Sequence, residues 1–127
     1  MSEISIVIDL AKSPHVQLSW KKAIELLECI GENTSITRDL EEALRIIRNF
    51  EEFYRFSRKR FEEYIAPPKE QRDVILGRVV VHKIKLFKKD SENNVEIVFD
   101  RRFSVDKVIS CLKKIGYSSV DIHKQFI

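Results

Sequence analysis

The chain has 127 residues, 43% apolar and 34% charged, with three Gly, three Pro and a net charge of +3. That balance excludes intrinsic disorder and fibrous repeats, and the length suits one domain spanning 1–127. No apolar run approaches the about 18 residues of a membrane span, and the start "MSEISIVIDLAKS" lacks a basic leader, so a cytoplasmic protein without membrane contact is expected.

Abundant Ile, Lys, Glu and Arg give the chain a thermophile-like composition. Charge is uneven: residues 1–68 carry ten basic and twelve acidic groups, whereas 69–127 carry thirteen and eight, so the halves stand at −2 and +5. The basic half is short of the footprint of a dedicated DNA-binding domain.

In chain order, "EISIVIDL" alternates Ile4, Ile6, Ile8 and Leu10 with Ser5, Val7 and Asp9, which predicts a strand with one buried face. "KSPHVQL" reads as a Pro-bearing loop. Ser19 is placed to cap a helix carrying Trp20, Ala23, Ile24, Leu27 and Ile30 on one side, with Gly31 just past its end. Thr37 caps a second helix, Asp39 lies in its first turn, and no breaker appears before "APPK". Running from 37 to 65, this one long helix would span about 43 Å, too long for a domain of this size unless it breaks, with Phe56 and Ser57 the expected point, or projects.

Beyond the prolines, "DVILGRVVVHKIKLFKK" and "NNVEIVFD" predict a hairpin around "DSE". In its first arm Val80, His82, Ile84 and Leu86 share one face, and Val79, Val81, Lys83, Lys85 and Phe87 the other. Ser104 and Asp106 start a helix with Val105, Val108, Ile109, Leu112 and Ile115 as its stripe and Gly116 as its end. The tail, with Val120, Ile122 and Phe126 at even spacing, reads as a last strand.

The order β-α-α-β-β-α-β predicts an α+β domain with the ferredoxin-like split βαβ arrangement. A winged helix, with the hairpin as wing, is the alternative. Cys29 and Cys111 both fall on apolar helix faces and are expected as free, buried small hydrophobes.

Function is read from surfaces. Phe53, Phe61, Tyr64 and Ile65 lie on one arc of the long helix, away from Arg48, Arg55 and Lys59, whose charges are matched at i,i+4: Glu41 with Arg45, Arg48 with Glu52, Glu51 with Arg55, Arg58 with Glu62, Lys59 with Glu63. Aromatics and cations on separate faces argue against base stacking there and for apolar contact. A second apolar surface is expected on the uncovered sheet face, from Val79, Val81, Phe87 and Val98. The first reading is therefore a non-catalytic protein-interaction module, adaptor or regulatory, that self-associates, as a dimer, and docks onto a larger assembly through a protein partner.

The alternative is DNA or RNA binding through the basic hairpin, residues 83–102, with Lys83, Lys85, Lys88, Lys89, Arg101 and Arg102 on phosphates. Lysines on a hairpin also protect edge strands, the plainer explanation. A metal-dependent nuclease is the minor alternative, resting on Asp9 at a strand end with Glu96 on a neighbouring strand. His15, His82 and His123 are dispersed, and Gly31, Gly77 and Gly116 are too far apart for a phosphate loop, so no catalytic residue, metal or cofactor is expected.

Overall fold

The computed structural model describes residues 2–9 and 13–125. Its elements are β1 (Ser2–Asp9), β2 (His15–Ser19), α1 (Trp20–Asn33), α2 (Arg38–Arg48), α3 (Phe50–Lys59), α4 (Gln71–Leu76), β3 (Val81–Lys89), β4 (Glu92–Phe99), α5 (Val105–Lys114) and β5 (Tyr117–Gln125). The strands form one sheet in the order β3-β4-β2-β1-β5, with β1 and β5 parallel and every other pair antiparallel. Mixed helix and sheet is thus the observed class.

The sheet departs from expectation in one strand. β2 is built from residues read as a loop, and it stands between β1 and β4, pairing with both. Val16 and Leu18 enter the core while Gln17 and Ser19 stay exposed, the alternation of a half-buried strand compressed into five residues. The hairpin is no free wing, because β4 lies between β3 and β2. Asp90 and Ser91 turn it with φ of 52° and 65°, the paired left-handed residues of a two-residue loop.

The expected caps hold. The Ser19, Thr37 and Ser104 hydroxyls accept from the amides of Lys22, Leu40 and Lys107, each at 3.4 Å. Gly31, by contrast, lies inside α1, where a Cβ would stand in ordinary contact, 3.5 Å from Leu40 Cδ2. α1 packs between α2 and α5 and covers β4 and β2, while α5 covers β5. Leu26, Leu27, Ile30, Leu40, Ile47, Ile97, Phe99 and Leu112 fill the space between. Cys29 and Cys111 are not free: they form a disulfide between α1 and α5, with Cα atoms 5.8 Å apart and a sequence separation of 82.

The long helix breaks, earlier than expected. Asn49 leaves helical geometry at φ −105°, ψ 45°, and the Arg45 carbonyl accepts both from its backbone amide at 3.2 Å and from its side-chain amide at 2.8 Å. α3 then ends at Lys59, so Phe61, Tyr64 and Ile65 are not helical and share no stripe with Phe53. None of the five expected i,i+4 ion pairs forms among the described residues; Arg48 reaches Glu28 on α1 at 2.6 Å, and Glu51 accepts from Lys88 on β3 at 2.9 Å. "DVIL", read as strand, belongs to α4.

Candidate functional site

Two surfaces concentrate chemistry, and both arise from the segment after α3. The first is the end of that helix. Glu62 N donates to Ser57 O at 2.9 Å and Phe61 N to Arg58 O at 3.2 Å, the paired bonds of a Schellman motif. Its left-handed position, normally Gly, is Phe61, with φ 55°. The Phe61 side chain is 96% exposed, and Phe56, one helical turn from the end of α3, is also exposed beneath the Arg60 guanidinium at 5.2 Å. A bulky residue in this conformation is strained, and among the described residues no packing offsets it. α4 adds a further apolar run, Val74, Ile75 and Leu76, all exposed; the strand reading of "DVIL" concealed it.

The second surface is the sheet face turned away from the helices. Ile65 pairs with Ile84 through two backbone bonds, at 2.7 and 2.9 Å, and so covers the outer edge of β3. Successive side chains in extended backbone point opposite ways, so Ile65 packs on the core while Tyr64 reaches over the open face. There the Tyr64 hydroxyl donates to Glu96 Oε2 and Gln17 Nε2 donates to Oε1, both at 2.7 Å. Lys83 Nζ sits 4.2 Å from the centre of the Tyr64 ring.

Glu96 is 6% exposed. Burial pushes its carboxyl up, but the two hydrogen bonds, with the positive charges of His15 and Lys85, outweigh this and hold it below the ordinary carboxylate value. Burial and the bond to Glu96 push the Tyr64 phenol well up, so it stays a proton donor. His82 is held low, first by burial and then by the charges of Lys69 and Lys83, with Asp100 opposing. Ser13, His15, Glu63, Tyr64, His82, Lys83, Glu96, Val98 and Arg101 line one cavity of about 660 Å³ over this face.

The expected apolar character of this face is therefore corrected. A bulge between Val81 and Lys83 turns Val81 into the core, where Val79 is also buried. Val98 is on the open face but nearly covered, and Phe87 is half-buried beside Lys85, whose Nζ lies 5.8 Å from its ring. Ile65 is a core-packed edge residue, Tyr64 a hydrogen-bonded one, and Phe53 is half-buried under Arg45; of the expected apolar contacts only Phe61 stands free.

The six basic residues also divide. Lys83 and Arg101 line the cavity, and Lys85 and Lys89 follow Lys83 along β3 at even spacing. Lys88 points to the helix side, held by both Glu51 oxygens at 2.9 and 3.0 Å. Arg102 donates to Val74 O at 2.9 Å and pairs with Asp100. No group of three or more potential metal ligands occurs among the described residues, and the Asp9 side chain lies outside them, as does Phe126. Compared with protein-family models, curated proteins and solved structures, the chain returns no match.

Proposed function

We propose that the chain is a non-catalytic interaction module that self-associates, as a dimer, through the end of α3 and so docks as an adaptor onto a larger assembly. One observation carries this reading: Phe61 occupies a left-handed position that disfavours it, with its ring in water. The strain is on the order of 1 kcal/mol, and burying such a ring is worth about 1.5–3 kcal/mol, so a partner surface more than offsets it. Phe56 beside the same helix end supplies a second anchor, and Arg55, Arg58 and Lys59 a polar rim.

In this reading the domain keeps a ferredoxin-like kernel, β2, α1, β3, β4, α5 and β5, with β1 interposed between β2 and β5. A cytoplasmic setting is compatible with the Cys29–Cys111 disulfide in a hyperthermophile, where intracellular disulfides persist, and the composition accords with that.

Sedimentation velocity across a concentration series tests the proposal with Phe61→Gly. Wild type should gain mass with concentration, while the variant stays monomeric and as stable as wild type, or up to about 1 kcal/mol more so, because Gly relieves the strained position. A wild-type chain that remains monomeric throughout defeats self-association; an unfolded variant would show that Phe61 serves the fold.

A further inference from the structure

The split among the basic residues points to a second surface, independent of the α3 end. Along the open face of β3 the side chains at alternate positions are Lys83, Lys85, Phe87 and Lys89. The stripe is about 20 Å long, and its cations stand about 7 Å apart along the strand where they are consecutive. At its cavity end lie Arg101 and the imidazoles of His15 and His82. We propose that this face binds single-stranded nucleic acid, with the phosphates on Lys83, Lys85, Lys89 and Arg101, one base against Phe87 and one nucleotide in the cavity.

Three features favour a single strand over a duplex. The cations follow an extended β-strand in a line, as the phosphates of an extended strand do. The cavity, about 660 Å³, has room for one splayed nucleotide, whereas a duplex would present its backbone only to the rim. Its walls also offer the imidazoles of His15 and His82, and Glu63 as an acceptor, for base edges. Edge protection explains lysines on β3 in general, but not Arg101, which lies past the end of β4. Edge protection is also already supplied by Ile65 along part of that strand.

Lys85 is half-buried and paired at 3.6 Å with the exposed Glu63, a bridge that a phosphate can replace at little cost. Lys88 and Arg102 are excluded from the track because the fold engages them elsewhere. That exclusion makes the proposal specific, since simple electrostatic attraction would not distinguish the two groups.

Fluorescence anisotropy with labelled oligouridylate, oligothymidylate and a DNA duplex, over a series of salt concentrations, is the test. Four phosphate contacts predict a log–log salt slope of about −2.8 for the single strands, and Lys83→Gln with Arg101→Gln should bring it to about −1.4 and weaken binding at least tenfold. Phe87→Ala should cost about tenfold in affinity with the slope unchanged. The control, Lys88→Gln with Arg102→Gln, removes the same charge and should leave both nearly as in wild type. Equal losses from the two double variants, preference for the duplex, or no binding to either single strand at low salt would each overturn the proposal. Stronger binding of oligouridylate or of oligothymidylate identifies the strand as RNA or DNA.

Discussion

The two faces of the central strands show opposite solutions to burial. On the helix side of β4, Val95, Ile97 and Phe99 are inaccessible and meet only apolar partners. On the other side the same strand presents Glu96 and Val98, almost as inaccessible, yet the carboxylate is ionised and its oxygens are occupied by Tyr64 and Gln17. The first face is held by area removed from water, tolerant in direction but not in volume. The second is held by two directed bonds, and a buried ion there is no better for stability than an apolar residue of the same shape.

The helix side should be the more costly to disturb. Opening Cys29–Cys111 by Cys111→Ser releases a loop of 82 residues and should lower stability by about 4–5 kcal/mol on the chain-entropy relation, read as a fall in the urea midpoint. Ile97→Ala should cost about 2–5 kcal/mol, as expected for a fully buried side chain whose cavity cannot collapse. An Ile97→Ala effect below that of Glu96→Gln would reverse the comparison.

The open face should respond less, and with pH. Glu96→Gln removes the charge but keeps the shape, and should cost about 1–2 kcal/mol at neutral pH. Because the folded carboxyl titrates below its unfolded value, its contribution is present above the unfolded value and disappears as pH falls through the folded one. Wild type and Glu96→Gln should therefore converge in stability below the carboxylate range, and a gap that persists in acid would show that charge is not the cause. Tyr64→Phe should cost about 1 kcal/mol, the smallest effect of the set, since it leaves the ring against Lys83 and removes only the bond to Glu96.

What was legible in the sequence was what neighbouring residues decide. Ser19, Thr37 and Ser104 cap their helices because a hydroxyl needs only the amide three positions on, and the hairpin closes at Asp90 and Ser91 because its turn is local. Phe61 was read as part of an apolar contact stripe on one long helix, whereas a left-handed turn beyond the end of α3 is what presents it. The four cations of the proposed track were named together with two others whose engagement with Glu51 and Val74 no local pattern records.

The tertiary structure alone decided the remainder. β2 is too short to announce itself and exists because β1 and β4 supply hydrogen bonds on both its edges. Arg48 and Glu51 left their i,i+4 partners for Glu28 on α1 and Lys88 on β3, because a pair worth a few tenths of a kcal/mol yields to a better-placed charge on a neighbouring element, while Arg45 turned to Glu42 on its own helix. Tyr64 met Glu96 only because the chain turned around the edge of β3. Capping and turn signals act over three or four residues and survive in isolation; strand pairing, ion partners and a cavity's lining depend on which distant elements the core brings together.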